Sequence, residues 1–277
     1  MMSNKLDPFI GKNVIETLTS GMYDDARFIY REYVQNAADQ IDEAVELGIL
    51  RKREQGKIQI TIDPKQRVIS ILDNATGIKE SAVRGFLGDV ANSRKDQATR
   101  KGFRGIGRLG GLGYCNRLIF ETSYRNENVK TVMSMDAVAL RKIIANKRDN
   151  SDASAVISVI TSIKKSSEDP KAHYFKVTLE DVSDNVLLSE INVSNYLSMV
   201  APAPFDPTFS FSKEIYDFFK DQKVTLDEYN ISVNNETIYK SYKDTLTNEL
   251  VLAGKELTEK ERKAQYKESK ILSLIHI

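Results

Sequence analysis

The spacing of apolar residues predicts one long helix early in the chain. Between residues 23 and 47, apolar side chains recur at intervals of three, four and seven, which is typical of a helix that buries one face. Asp24 and Asp25 are candidate N-caps, and Gly48 is placed to end the helix. The predicted buried stripe consists of Phe28, Val34, Ala38, Ile41 and Val45.

Short β-branched runs after this helix predict strands. Residues 57–62 and 67–72 flank a four-residue polar link, which predicts a hairpin. Early helix followed by hairpin-linked strands favours the α+β class, with a mainly antiparallel sheet covered on one face. Further strands are expected at 117–122, 129–135, 155–162 and 174–179, with a single helix among them at 137–147.

A change in composition near residue 200 predicts a domain boundary. Three of the six prolines fall within residues 202–207. Beyond them, residues 231–239 resemble a strand pair turned on Asn234-Asn235, and residues 244–262 are charged and helix-prone. Some seventy residues offer little core, so this second unit is expected to be incomplete. The predicted domains are residues 1–200 and a partial second α/β domain, of the transducer or middle type, at 208–271.

The last six residues, Leu-Ser-Leu-Ile-His-Ile at 272–277, match what the end of a widely used transposase sequencing adapter encodes in one frame. We expect a library artefact, with the coding sequence cut near Ile271 and the tail left out of fold reasoning. A natural apolar C-terminus stays an alternative.

Composition and charge narrow the class of protein. A content of 41% hydrophobic and 29% charged residues is typical of a soluble globular chain and unlike collagen, coiled coils or disordered proteins. The net charge of +1 gives no global basic field, although a local patch stays open. Cys115 is the one cysteine, which excludes an intrachain disulfide and a cysteine-cluster zinc site. Without an apolar run near 20 residues or a signal-peptide core, we expect a cytoplasmic protein with no membrane contact.

Three polar residues share a face of the predicted helix. Glu32, Asn36 and Asp39 lie at i, i+4 and i+7, so their side chains fall within about 40° of one another. This face is close to the apolar stripe, where a carboxylate must be paired, hydrated or metal-linked. A solvated polar face is the alternative.

A second candidate is Asp73, at the end of the strand predicted at 67–72. It is followed by Asn-Ala-Thr-Gly-Ile through residue 78, a glycine-containing turn that is also a common loop start. A buried carboxylate at this place can accept a hydrogen bond from an exocyclic amine such as that of adenine. A hydrogen bond to such a charged acceptor is worth about 1.5–3 kcal/mol.

Glycines cluster strongly, with six of the fourteen at residues 102–113. The pattern G-x-G-x-x-G runs from Gly105 to Gly110, but polar residues replace the strand that a Rossmann fold requires before it, and no Gly-Lys-Ser/Thr follows for a P-loop. Glycines let backbone N–H groups approach phosphates, and a helix beginning near Gly110 would add its positive end. A flexible surface loop is the alternative. Four basic residues give this region local positive charge: Arg100, Lys101, Arg104 and Arg108.

In this order and at these separations, the three motifs resemble the GHKL ATPases with the Bergerat fold. That superfamily includes gyrase B, the ninety-kilodalton heat-shock chaperones, the MutL proteins and the histidine kinases. The Arg31-Glu32 pair and the Asn-Ala-x-Asp segment at 36–39 are most similar to the heat-shock-chaperone and MORC side. The resemblance covers roughly residues 10–180 and implies a two-layer α+β sandwich with a mixed, mainly antiparallel sheet.

The resemblance implies a role for each motif residue. Glu32 would be the general base that orients the attacking water, Asn36 would ligate Mg²⁺, and Asp39 would support the pocket. Asp73 would take the adenine amine, with Gly77 shaping the turn. A mobile lid would span residues 85–103. The implied ATP-binding set is Asn36, Asp39, Asp73, Gly77, Ile78, Ser93, Gly105, Ile106, Gly107, Arg108, Leu109 and Gly110.

Several positions depart from the family pattern. Ala75 replaces the first glycine of D-x-G-x-G, and Leu112 replaces the third glycine of the chaperone lid motif, which leaves the loop register after Gly110 open. The late Gly-Thr pair of the family is best matched by Tyr174-Phe175, with Thr178 farther along, and the contact of Thr178 with nucleotide stays open. A histidine-kinase reading is disfavoured, because His173 lies late in the chain and is expected to be structural or exposed.

The expected function is Mg²⁺-dependent ATP binding and slow hydrolysis that drives lid closure, in a homodimer formed when ATP is bound. The role would be chaperone-like or clamp-like, with the client, protein or nucleic acid, left unidentified. The alternative is a non-catalytic, ATP-responsive interaction module in a stress or phage-defence system. A structural domain with coincidental motifs is the third interpretation.

Overall fold

The computed structural model describes residues 10–19, 24–88 and 107–241. Several sequence predictions therefore lie outside the described residues. They are Ser93, Gly105 and Ile106, most of the lid at 85–103, the helix at 244–262 and the tail at 272–277.

Helix α1 spans Asn13–Thr19, and α2 spans Phe28–Glu46, which confirms the long helix predicted at 23–47. Apolar side chains on one side of α2 are buried, including Tyr30, Tyr33, Val34 and Ile41. Neither predicted aspartate caps α2, because its N-cap residue is Arg27, and Asp25 instead accepts hydrogen bonds from Arg27. Gly48 follows the helix with a φ of 67°, the left-handed conformation predicted to end it.

The predicted hairpin is confirmed by β1 (Lys57–Asp63) and β2 (Val68–Asp73). Asp63 Oδ1 accepts hydrogen bonds from the backbone N–H groups of Lys65 and Gln66, which stabilises the turn between the strands. Helix α3 covers Val83–Gly88, and a 3₁₀ helix covers Gly107–Gly113. The next elements are β3 (Arg117–Ser123), β4 (Val129–Asp136) and α4 (Ala137–Ala145), close to their predicted ranges.

The strand predicted at 155–162 is wrong for most of its length. Residues Ala153–Ile160 form helix α5, and β5 begins only at Thr161 and ends at Ser167. Asp152 caps α5 by accepting a hydrogen bond from the Ser154 N–H, and Val156, Ile157 and Ile160 are buried at helical spacing. Capping and packing therefore override the strand preference of the β-branched residues in this run.

The remaining elements follow a similar alternation. They are β6 (Tyr174–Glu180), α6 (Glu190–Val200), α7 (Ser212–Asp221), β7 (Asn230–Val233) and β8 (Glu236–Thr237). β7 and β8 confirm the predicted strand pair, and both residues of its turn, Asn234 and Asn235, have positive φ, as a tight hairpin requires. No helix in the described part of the chain is long and apolar enough to cross a bilayer.

Within the described ranges, eight strands form one sheet in the order β5-β4-β3-β6-β2-β1-β7-β8. Every neighbouring pair is antiparallel except β1 with β7, which is parallel. The register places Ile60 opposite Ile71, Ile71 opposite Val177, and Val177 opposite Phe120. Apolar residues of successive strands therefore lie in common rows across the sheet.

One sheet face is buried and the other is polar. In β1, Ile58, Ile60 and Ile62 are buried, whereas Lys57, Gln59 and Thr61 between them are exposed. The same alternation and the register extend this buried face across β2, β6, β3 and β4, and α2 contacts β1 and β2. The α+β class, with a mixed and mainly antiparallel sheet covered by helices on one face, is confirmed.

The chain divides into two compact units. Unit 1 comprises residues 1–201 and 229–238, and unit 2 comprises residues 202–228 and 239–277. The sequence places the strand pair at 231–239 beyond the domain boundary, but its β7 pairs with β1 and so belongs to the sheet of unit 1. The cause is main-chain pairing between distant segments, which apolar spacing does not encode.

The described part of unit 2 has a small aromatic core. Phe205, Phe209 and Ile215 are buried together, with Phe211, Phe219 and Leu226 packed against them. Glu228 accepts a hydrogen bond from the Tyr216 hydroxyl and forms an ion pair with Lys240 at 3.0 Å. The assignment of residues 208–271 to a transducer or middle domain stays a prediction.

Candidate functional site

The polar face of α2 carries the first candidate residues. Glu32 and Asn36 are half-buried and Asp39 is buried, one helical turn after another. Burial raises the pKa of Glu32, and the positive charge of Arg31 opposes that rise. A solvated surface would leave these side chains exposed, so α2 presents a partly enclosed row of oxygen-bearing groups.

Asp73 ends β2 on the covered face of the sheet. Its side chain is 3% exposed, and Oδ1 accepts a hydrogen bond of 3.0 Å from the Ala75 N–H. Burial raises the pKa of Asp73 to about 7, while backbone hydrogen bonds from Ala75 and Phe175 oppose the shift. Among the described residues, no ion pair to Asp73 is found. A buried carboxyl group that has no cation beside it can accept a hydrogen bond from an amine on a neutral ring.

The turn after Asp73 is held tightly against the sheet. Gly77 has a φ of 66°, and a Cβ at this position would lie 1.9 Å from the Ser123 carbonyl oxygen. The Ile78 N–H donates to Thr122 Oγ1 at 2.8 Å, and that hydroxyl donates to the Tyr174 carbonyl at 2.9 Å. The turn therefore requires glycine at residue 77.

Two further side chains hold the same turn. His173 Nδ1 donates to the Ala75 carbonyl at 2.7 Å, which is the structural role expected of this histidine. Thr76 Oγ1 donates to Gln40 Oε1 of α2 at 2.7 Å. Gln40 lies one turn after Asn36, so the helix that carries the first motif also anchors the second.

The glycine loop lies directly against Glu32. A Cβ at Gly107 would lie 2.0 Å from Glu32 Oε2, so a larger residue at this position would push the Glu32 carboxylate away from this backbone. The helix expected to begin near Gly110 instead begins at Gly107 and is a 3₁₀ helix. The side chain of Leu109 is fully buried and that of Arg108 is half-buried, so Leu109 can offer a ligand only its backbone.

The register places Thr178 and Asp73 on different faces of the sheet. Thr178 pairs with Ser70, whereas Asp73 pairs with Phe175. Because side chains alternate between faces, Thr178 points to the polar face of the sheet, opposite to Asp73. Thr122 lies in the same row as Asp73 and Phe175, on the buried face of the sheet.

Sequence reasoning also missed Tyr33. This side chain is buried next to Glu32 on α2, and its hydroxyl donates to the Arg108 carbonyl at 3.0 Å and accepts from the Gly111 N–H at 3.2 Å. The predicted buried stripe does not include Tyr33, and apolar spacing gives no sign of a partner that lies far along the chain. Thr122 escaped for the same reason.

Within the described ranges, no group of three or more histidine, cysteine, aspartate or glutamate residues could hold a metal ion alone. Glu32 and Asn36 offer two oxygen donors on one helix face. Mg²⁺ commonly takes one or two protein oxygens and completes its shell with substrate phosphates and water. The donor set therefore fits a magnesium ion that arrives with a nucleotide.

The profile of the histidine kinase-, DNA gyrase B-, and HSP90-like ATPase family matches residues 29–170, which is more than half of the chain. The chain belongs to this family. The matched range contains α2, Asp73 and the 3₁₀ helix, so the family membership covers the three elements that form the candidate site.

Two curated relatives are similar over shorter ranges. A protein named chaperone protein HtpG from Aliarcobacter butzleri is 30% identical over 90 residues, which cover 29% of this chain and 14% of the relative. A protein of the same name from Fusobacterium nucleatum is 24% identical over 144 residues, covering 45% of this chain and 24% of the relative. The chain thus matches less than a quarter of the length of either relative.

These findings confirm the predicted resemblance to the GHKL superfamily and its fold.

Proposed function

We propose that unit 1 binds ATP together with Mg²⁺ and hydrolyses the nucleotide slowly. The contact between the Glu32 carboxylate and the backbone of Gly107 carries this proposal. It brings a candidate general base against a glycine-rich backbone segment of the kind that binds phosphates. Membership of the ATPase family supports the same reading.

Each element would contact a different part of the nucleotide. Asp73 would accept a hydrogen bond from the adenine amine, while Gly107, Arg108, Leu109 and Gly110 would present backbone groups to the phosphates. Gly77 and Ile78 shape the turn beneath the base, because the turn is fixed to Thr122 and Ser123.

The chemistry at the terminal phosphate would depend on Glu32. A pKa raised by burial brings this carboxyl group nearer to neutral pH, which suits a base that takes a proton from the attacking water. Asn36 would hold Mg²⁺, which supplies charge neutralisation at the phosphates when it is bound. Asp39, buried on the same helix, would keep the pocket wall polar.

We propose a chaperone-like or clamp-like role in which nucleotide binding drives lid closure and pairing of two copies. Both curated relatives bear the name chaperone protein HtpG, which supports the chaperone-like reading. The proposed lid spans residues 85–103 and includes Ser93.

Paired substitutions test these assignments. Glu32→Gln should retain ATP binding and lower phosphate release by about 10²- to 10⁴-fold, because it removes only the base. Asp73→Asn should lower ATP affinity itself, by about 10-fold, because it replaces a charged acceptor with a neutral one. ATP affinity is measured by calorimetry with Mg²⁺, and turnover by phosphate release.

Thr178→Val is the matched control, because this side chain lies on the opposite sheet face and should leave both quantities unchanged. Equal losses of affinity in the Glu32 and Asp73 variants would contradict the separate roles. A wild-type protein that binds ATP without any turnover would instead favour the ATP-responsive interaction module.

A further inference from the structure

The Tyr33 hydroxyl joins both ends of one turn of the glycine loop. It donates to the carbonyl of Arg108 and accepts from the N–H of Gly111, at 3.0 and 3.2 Å. The tyrosine side chain is 3% exposed, so water does not readily replace these bonds. A single side-chain atom thus fixes the separation of two backbone groups in the segment that faces Glu32.

The loop is shaped to receive this hydroxyl. A Cβ at Gly111 would lie 2.6 Å from the Tyr33 hydroxyl oxygen and 3.1 Å from Leu118 Cδ1, so a larger residue would displace the contact. The Gly111 carbonyl accepts a hydrogen bond from the Cys115 thiol at 3.1 Å. Burial raises the pKa of Cys115 to about 12, which keeps this donor protonated at neutral pH.

We propose that Tyr33 is a positioning residue that presets the phosphate-binding backbone for the nucleotide. Glu32 and Tyr33 are consecutive on α2 and contact the two ends of one loop segment, Gly107 and Gly111. Helix α2 therefore holds the general base and the phosphate loop in one fixed relation. This inference rests on the proposed ATP-binding function.

The hydroxyl is suited to this role because it stays neutral. Burial raises the pKa of Tyr33, so the group keeps the proton that it donates to Arg108. A neutral phenol can donate one hydrogen bond and accept another at the same time. Phenylalanine can do neither and would leave a buried carbonyl and a buried N–H without this partner.

Loss of the Tyr33 hydroxyl should affect only the binding of the phosphates. The turn that would hold adenine is fixed by other contacts, from Ile78 to Thr122, from Ala75 to His173 and from Thr76 to Gln40. None of them includes Tyr33. Loss of the hydroxyl should therefore weaken binding of ATP and leave binding of adenosine unchanged.

The test compares Tyr33→Phe with Tyr30→Phe, a matched control on the same helix. The Tyr30 hydroxyl is equally buried but donates to the Leu187 carbonyl at 2.7 Å, away from the loop. Affinities for ATP with Mg²⁺ and for adenosine are measured by calorimetry. Tyr33→Phe should weaken ATP binding by about 5- to 30-fold with adenosine unchanged, whereas Tyr30→Phe should leave the ratio of the two affinities at the wild-type value.

Gly111→Ala provides a second variant should Tyr33→Phe fold poorly, since the added methyl group displaces the hydroxyl and should produce the same ATP-selective loss. If the wild type binds ATP but the ratio of ATP affinity to adenosine affinity is unchanged in both Tyr33→Phe and Gly111→Ala, the role of Tyr33 is overturned and the proposed function is not. Equal effects of Tyr33→Phe and Tyr30→Phe would also overturn it. A wild type that does not bind ATP would overturn the proposed function and this inference together.

Discussion

Two glycines of unit 1 share a left-handed backbone and differ in their surroundings. Gly48 has a φ of 67° with open space around it, whereas Gly77 has a φ of 66° and faces the Ser123 carbonyl. Gly48→Ala should cost about 1–2 kcal/mol, the usual penalty for this conformation. Gly77→Ala adds a backbone clash and should cost at least about 3 kcal/mol. Urea unfolding of both variants measures the free energies, and equal losses would show that the turn at Gly77 can shift.

The buried Asp73 carboxyl group makes the ligand-free protein sensitive to pH. Its pKa is about 7 in the folded state and about 3.9 in an unfolded chain, so the folded protein binds this proton more tightly. The stability linked to Asp73 is therefore present below about pH 4 and is lost as pH rises to about 7. Above about pH 7, the loss of folding stability caused by the buried Asp73 carboxylate no longer changes with pH.

Asp73→Asn removes this ionisation and should therefore remove its pH dependence. Between pH 5 and pH 8, the stability of the wild type relative to the variant should fall by about 2–3 kcal/mol. Urea unfolding at both pH values, without nucleotide, provides the measurement. Taking the difference between the proteins cancels the other titrating groups. A difference that does not change with pH would mean that Asp73 is not desolvated as its burial indicates.

The sequence predicts the motif residues of the site but not the side chains that support them. Glu32, Asp73 and the glycines stand out because their types and spacing carry chemistry. Tyr33 and Thr122 do not, since their importance depends on which strand or loop lies beside them. Hydrogen bonds between residues far apart in the chain leave no periodic trace in the sequence.

At the scale of elements, the spacing of apolar residues identifies the long helix and the hairpin well. α2 and β1–β2 have strong patterns and clear terminating residues, so their predicted ranges differ from the structure by only a few residues. The prediction for the range of α5 is wrong because β-branched residues fill this short helix, and only its aspartate cap indicates the true conformation. Short apolar runs are ambiguous between helix and strand until their caps are read.

At the scale of the whole molecule, unit 1 is built from two separate stretches of chain. β7 lies beside β1, and Tyr229, Ile231 and Val233 are buried at or next to this added strand. Burial of each such side chain contributes about 1.5–3 kcal/mol, so together they account for several kcal/mol. This is a large part of the roughly 5–15 kcal/mol that stabilises a typical domain.

Two shortened chains test this dependence, one ending at residue 228 and the other at residue 241. Both keep residues 202–228, and only the longer one contains β7 and β8. The shorter chain should unfold at much lower urea concentration or lack a cooperative transition, followed by circular dichroism. Matching transitions in the two chains would mean that the sheet of unit 1 is stable without β7.

The paired strands β1 and β7 lie far apart in the chain, so they are synthesised at different times. Lys57 leaves the ribosome long before its partner Asn230, and at about 5–20 residues per second the delay is about 10–35 s. Glu32, Asp73 and Gly107 are all made before that interval ends. A nascent chain therefore carries Glu32, Asp73 and Gly107 of the candidate site while one side of β1 is still a bare strand edge, open to pairing with a neighbouring chain.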